Sequence, residues 1–263
     1  MVGMRKLIIG LVSLVALALL VDFGAAAYSE YRVSRAIRDG GDLSSDPQVI
    51  IHGFPFLPQA ADGKYQNVEI RAQDVPNDYV GSTTIEANLR GVAVPLSDLV
   101  GGSVEAVPVD ELDGRVRIEA TDLGRFLNIV DLEVSAPPAD KSDGTGGSGG
   151  SGMTTSGGVV LTGTVPVGPL GDVKVSVQAD LILDGDSVDI VASDFYFGPE
   201  GDADFTIPDF AKSTVLGLFT KTIDRQSLPF GILPTDVYAE GSQIVIEGDA
   251  RNVTIDLNQI EQP

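Results

Sequence analysis

The amino-acid sequence predicts an α+β fold built mostly from antiparallel sheet. Apolar and polar side chains alternate in roughly ten stretches, which is typical of strands with one buried face. Only three short helical patterns interrupt these stretches, and helices do not alternate with strands, so the βαβ repetition of parallel sheets is excluded. The 263 residues suffice for one large domain, or two small ones, with a sizeable core.

In the first half of the chain, the spacing of apolar residues predicts a helix at 28–38, which two glycines end. Strands follow at 49–51, 66–72 and 82–94, and a short helix at 96–100. Strands at 104–109 and 114–120 flank Asp113-Gly114, a dipeptide typical of hairpin turns. Residues 121–130 return to helical spacing, with Thr121 as the expected N-cap.

The second half begins with a short strand at 132–135. Residues 137–158 are polar, rich in Gly and Ser and without periodicity, which predicts a flexible loop. Strands are then expected at 159–165, 172–183 and 187–197. Pro208 suits the first turn of an amphipathic helix at 208–224. The last predicted strands are 236–240, 243–248 and 252–257.

Charge and composition exclude several functions. The net charge is −21 and basic residues do not cluster, whereas a nucleic-acid backbone is bound by clustered Lys and Arg. The same acidity disfavours electrostatic docking to anionic lipid, so any lipid binding must come mainly from apolar burial. The chain has no cysteine, which excludes disulfides, thiolate metal sites and a lipid-modified N-terminal Cys.

An apolar run at 7–21 follows Arg5 and Lys6 at the start of the chain. It is long for a signal-peptide core and short for a membrane span, and three alanines at 25–27 form an acceptable cleavage site before Tyr28. A cleaved signal and a retained anchor both remain open. Either one predicts export, with residues 1–27 as signal or anchor and 28–263 as a single domain beyond the membrane.

The segment 50–70 places large apolar side chains where turns usually carry polar ones. Gly53-Phe54-Pro55-Phe56-Leu57 lies between two predicted strands, and turns lie at the surface. These side chains therefore either plug the end of a core or line an opening that admits an apolar ligand.

This motif, continued by Gln59, Gly63, Tyr65 and Val68, resembles the signature of the LmeA family, the actinobacterial phospholipid-binding proteins of the cell envelope. A second motif, Leu228-Pro229-Phe230-Gly231-Ile232, precedes the last strands as it does in that family. The N-terminal apolar segment and the short helix after it also match.

The resemblance implies a curved sheet wrapped around short helices, like that of the tubular, BPI-like lipid-binding proteins. It also implies a phospholipid ligand, with phosphatidylinositol or a mannosylated derivative as the expected lipid. The implied role is to support elongation or maintenance of lipomannan at the outer, periplasmic face of the plasma membrane, near the envelope glycosyltransferase machinery.

Apolar side chains on the turn and on two helical faces are the predicted lipid contacts. They are Phe54, Phe56, Leu57, Leu123, Phe126, Leu127, Val215, Leu218, Phe219 and Ile223. The helical ones either cover the sheet or roof an apolar cavity. Lys64, Arg71 and Arg125 are the nearby cations that could meet a phosphate.

The sequence offers no combination of residues suited to catalysis, cofactor binding or metal binding. His52 is the only histidine, so His-pair and three-His zinc sites are excluded, and it is expected to be a strand-end side chain capped by a backbone group. The leading hypothesis is therefore a non-enzymatic lipid-binding protein. The alternatives are an adaptor that binds another envelope protein by strand addition, and a hydrolase or glycosyltransferase.

Overall fold

The computed structural model describes residues 2–41, 43–77, 80–101, 106–136, 155–156, 158–168, 171–185, 187–197, 207–223 and 228–256. Its helices are α1 (Val2–Gly40), α2 (Phe56–Asp62), α3 (Leu96–Gly101), α4 (Ala120–Leu127) and α5 (Asp209–Leu218), with a 3-10 turn at Pro229–Gly231. Its strands are β1 (Gln48–His52), β2 (Lys64–Asn77), β3 (Gly81–Ala93), β4 (Ala106–Glu119), β5 (Glu133–Ser135), β6 (Thr155–Ser156), β7 (Gly158–Pro166), β8 (Asp172–Asp184), β9 (Ser187–Phe195), β10 (Lys221–Ile223), β11 (Asp236–Glu240) and β12 (Gln243–Asp256).

The strands form two sheets. One has the order β1-β2-β3-β4-β12-β11-β6 and the other the order β10-β9-β8-β7-β5. The strand pairs within them are antiparallel, with Val49 opposite Ile70 in the first sheet and Leu161 opposite Val177 in the second. The predicted α+β class built on antiparallel sheet is confirmed. Most of the predicted loop at 137–158 lies outside the described residues.

The chain divides into two compact units. Unit 1 comprises Met1–Ala72, Glu86–Asp113 and Ala250–Pro263, and unit 2 comprises Gln73–Ile85 and Gly114–Asp249. The unit boundaries fall within β2, β3, β4 and β12, so the chain passes between the units inside strands and not through linkers. That residues 28–263 form one lipid-binding domain stays a prediction.

In unit 1, the C-terminal half of α1 is bonded to β1. The hydroxyl of Ser34 donates to the carbonyl oxygen of Pro47 at 2.6 Å, and Ser34 is buried. The carboxylate of Glu30 accepts the backbone N–H of Ile51 at 2.9 Å. Because β1 is an edge strand, Glu30 satisfies a donor that would otherwise stay unpaired.

In unit 2, the core lies against the five-stranded sheet. α4 packs on β5, α5 packs on β9, and β11 lies against β5, β7 and β8. Among the side chains that these contacts bury completely are Leu161, Val188, Ile190, Phe219 and Ile223. Alternating burial along β7 and β8 agrees with the predicted period of two.

Several sequence predictions about element boundaries are wrong. The expected N-cap Thr121 lies inside α4, which Glu119 precedes as the N-cap residue. The helix expected at 28–38 is the end of one continuous helix, α1, because the alanines at 25–27 favour helix and no proline interrupts it. The hairpin expected at Asp113-Gly114 is the interior of β4, since β4 pairs with long strands on both sides. The two strands expected at 243–248 and 252–257 are one, β12, in which Asn252 has a φ of +52°.

Candidate lipid-binding and membrane-facing site

The loop that joins β1 to α2 in unit 1 is held by side-chain hydrogen bonds. Gly53 has a φ of +104°, and a Cβ there would lie 2.7 Å from Nε2 of Gln59, so the position requires glycine. The Gln59 amide donates to the carbonyl oxygen of Pro55 at 3.2 Å and accepts the N–H of Gln66 at 3.1 Å. Gly63 ends α2 in the left-handed conformation. Three motif residues, Gly53, Gln59 and Gly63, thus fix the loop.

The segment between β1 and β2 contains a helix, which corrects the predicted aromatic turn. The Phe54-Pro55 peptide bond is cis, and α2 begins directly after it. Pro58 lies in the first turn of α2, where proline is tolerated because the first N–H groups of a helix have no partner within it. The turn signals at 53–55 therefore mark the start of a helix and not a direct return into β2.

Asp22 of α1 caps the N-terminus of α2. Its Oδ2 accepts the N–H of Phe56 at 2.9 Å, and its Oδ1 accepts the N–H of Leu57 at 2.8 Å. Pro58 has no N–H, so the first three positions of α2 leave no donor unpaired. Pro55, which precedes α2, makes no side-chain cap, and Asp22 is buried. The start of α2 therefore depends on a carboxylate from the apolar N-terminal helix.

The apolar side chains of the motif separate into an inner and an outer group. Phe56 is buried, with its ring centroid 6.1 Å from that of Tyr65, and burial also raises the pKa of Tyr65. Phe54 and Leu57 are 60% and 42% exposed. The Phe54 ring stacks on Phe23 of α1, with centroids 5.7 Å apart. One side chain of the motif thus fills the core while two others face outward.

The outward pair continues the apolar surface of α1. The apolar run at 7–21 is exposed along its whole length. The exposed large side chains of this run are Leu7, Ile8, Ile9, Leu11, Val12, Leu14, Val15, Leu17, Leu19, Leu20 and Val21. α1 is long and apolar enough to cross a membrane, although a signal segment near the N-terminus meets the same criterion.

In unit 2, α4 buries one side of its apolar face. Leu123 and Leu127 are buried, and Phe126 is half-buried. The ammonium of Lys221 lies 4.3 Å from the centroid of the Phe126 ring and donates to the Phe126 carbonyl oxygen at 3.0 Å. The accessible part of the apolar face of α4 is therefore an aromatic ring with a cation against it.

The apolar face predicted for a single helix at 208–224 is divided among a helix, its C-cap residue and a strand. α5 ends at Leu218, Phe219 is its C-cap residue, and Ile223 lies in β10, so the expected single helical face is wrong. The helix stops there because β10 pairs with β9. Val215, Phe219 and Ile223 are buried and Leu218 is half-buried, whereas Phe210 is 70% exposed.

Two of the three predicted headgroup cations are paired with acids. The Arg71 guanidinium lies 3.5 Å from the Glu86 carboxylate, and the Arg125 guanidinium lies 2.6 Å from that of Asp122. Lys64 is exposed at the start of β2. A lipid phosphate at Arg71 or Arg125 would therefore have to compete with a carboxylate.

A model of the LmeA-like phospholipid-binding family matches residues 20–249. The chain belongs to this family. No curated protein and no solved structure matches the chain. The resemblance read from the two motifs is therefore confirmed, and phospholipid binding is the property that the family assigns to this chain.

The match to the LmeA-like family includes Asp22 and Phe23, which the sequence analysis did not select. The sequence feature that could have identified Asp22 is a lone carboxylate next to an apolar run, because a charge there needs a partner. Its partner lies more than thirty residues away, so spacing within the helix could not identify it. Phe210, an apolar residue within the amphipathic helix expected at 208–224, lies outward.

His52 ends β1 as expected, but its partner is wrong. Its Nε2 lies 3.1 Å from the Glu69 carboxylate, a side-chain partner that comes from the paired strand β2. Both side chains are close to half exposed. Within the described residues, no three His, Asp or Glu side chains form a group that could hold a metal ion.

Proposed function

We propose that this LmeA-like protein is an exported, non-enzymatic phospholipid-binding protein of the cell envelope. Its lipid is phosphatidylinositol or a mannosylated derivative, and its role is to support lipomannan elongation or maintenance beside envelope glycosyltransferases. The match of the phospholipid-binding family to residues 20–249 carries the proposal. The apolar N-terminal helix and the outward aromatic residues of both units support it.

Apolar burial supplies the binding energy in this proposal. Each acyl methylene removed from water contributes about 0.8 kcal/mol, so ten give about 8 kcal/mol. Each screened surface charge pair contributes only about 0–1 kcal/mol, so the net charge of −21 does not prevent binding. The acyl chains would lie in an apolar cavity, with the headgroup at its rim.

Of the predicted lipid contacts on α4 and α5, the two helices of unit 2, Phe126 and Leu218 retain accessible surface. We assign them the first contact with acyl chains. The buried members of the same faces, Leu123, Leu127, Val215, Phe219 and Ile223, lie behind them and line the cavity that an entering acyl chain opens in this proposal. Phe54, Phe56 and Leu57 form the corresponding contacts in unit 1, and Lys64, Arg71 and Arg125 are the headgroup candidates.

The adaptor alternative receives less support from the sheet edges that the structure describes. Strand addition needs an exposed edge, and short edge strands protect against it. The edge strands β10 and β5 have three residues each, and Glu30 accepts a backbone N–H of β1. We therefore retain the lipid-binding function as the proposal.

Lipid titration of the full chain in detergent micelles tests the proposal. Native mass spectrometry would count adducts of phosphatidylinositol and of phosphatidylcholine with the same acyl chains. We expect phosphatidylinositol adducts, reduced by the double substitution Phe126→Ala and Leu218→Ala. The control Leu233→Ala removes another exposed apolar side chain of unit 2 and should leave binding unchanged. Absence of adducts for both lipids would refute lipid binding, and equal adducts would refute the headgroup preference.

A further inference from the structure

Asp22 and Phe23 lie before the alanines at 25–27, yet both contact the loop after β1. Asp22 accepts two backbone N–H groups of α2, and Phe23 stacks on Phe54. Cleavage after Ala27 would remove both contacts and leave the first turn of α2 without its cap. The family match also begins at residue 20, ahead of the alanines. A cleaved signal does not explain these contacts.

The apolar run alone is short for a membrane span. Residues 7–21 rise about 22 Å as a helix, whereas the hydrocarbon core of a bilayer is about 30 Å thick. Asp22 comes next, and a charge at this depth is costly unless it is covered and paired. α2 covers and pairs it, and Phe23, Phe54 and Leu57 add exposed apolar surface next to it. The contacts around Asp22 therefore continue the apolar surface beyond the end of the run at 7–21.

We propose that α1 is retained in the mature protein as a membrane anchor, and that Phe54 and Leu57 enter the lipid interface beside it. The occupant of this surface is the bilayer in which α1 itself is embedded. Aromatic and aliphatic side chains next to a span are the residues that settle at the headgroup level. The anchor thus does more than tether the chain, because it places the family's signature motif at the lipid surface. This inference goes beyond the proposed ligand and does not depend on its headgroup.

Single-tryptophan variants can locate the loop, because the chain contains no Trp. The full chain would be reconstituted in vesicles that contain phospholipids brominated on the acyl chain, which quench nearby Trp. We expect quenching in Phe54→Trp and Leu57→Trp. Ser45→Trp is the control: it is exposed beside Asp46, which pairs with Arg38, about 24 Å along α1 from Asp22. It should stay unquenched.

Quenching of F54W and L57W no stronger than that of S45W would overturn the interface contact. Both wild-type side chains are well exposed, so these substitutions should not disturb folding. The intact mass of the protein from its native membranes tests retention independently. A mass that includes Asp22 and Phe23 supports the anchor, and a mature N-terminus at Tyr28 overturns it. Lipid adducts in micelles report on the proposed ligand separately, so the two proposals can fail independently.

Discussion

Replacing Asp22 by Ala is the perturbation that tests most directly how α1 and α2 depend on each other. The substitution removes two hydrogen bonds to the N–H groups of Phe56 and Leu57. A bond to a charged group contributes about 1.5–3 kcal/mol, and loss of a helix cap costs about 0.5–2 kcal/mol. Leu57 is partly exposed, so water can replace part of the lost hydrogen bonding. We therefore expect the substitution to destabilise the folded, hydrogen-bonded start of α2 by about 2–3 kcal/mol.

Hydrogen exchange measures this change directly. A loss of about 2–3 kcal/mol lowers the protection of the Phe56 and Leu57 amides by about 30- to 150-fold, if they exchange by local opening. Glu30→Gln is the matched control, because Glu30 also lies on α1 but accepts the N–H of Ile51. It should leave α2 protection unchanged. Equal protection of α2 in the wild type and in Asp22→Ala would refute the capping role.

Four further predictions concern the ligand and unit 2. Phosphatidylinositol affinity in micelles should not fall as salt rises, because apolar burial drives it and screening weakens the repulsion from the acidic chain; a tenfold or larger fall would indicate a cationic site. Gly124→Ala in α4 should lower the free energy of unfolding, measured by chemical denaturation, by about 1–3 kcal/mol, since its Cβ would lie 2.5 Å from the Ile129 carbonyl oxygen. Gly217→Ala in α5, where the Cβ meets open space, should stabilise by about 0.5–1 kcal/mol in the same denaturation assay. Burial, with a hydrogen bond to Glu247, raises the pKa of Tyr238 from 10.0 to about 12; the free energy of unfolding should therefore fall between pH 10 and 12, and less so in Tyr238→Phe.

The sequence predicted the elements whose signals are local. Alternation located β7, β8 and β11 closely, and the short helix predicted at 96–100 is α3. The two motifs were sufficient to indicate the family. These signals succeed because burial on one face of a strand and the chain reversals at its ends depend on neighbouring residues.

The rest depended on contacts between distant residues. Asp113-Gly114 favours a turn in isolation, but β4 has partner strands along both edges and continues through it. Asp22 follows the apolar run at 7–21, and its carboxylate meets the backbone of α2 while the helix α1 continues. The apolar face at 208–224 divided because residues after Leu218 pair with β9. At Asp113-Gly114 and at 208–224, a tertiary partner therefore outweighed the local preference.

The lipid that remains bound after mild extraction from the native host's membranes tests phospholipid binding most directly. Native mass spectrometry of the full chain, followed by fragmentation of the adduct, would identify it. We expect a stoichiometric phospholipid of the phosphatidylinositol class. A chain that carries no phospholipid, and acquires none when phosphatidylinositol is supplied in micelles, would contradict it.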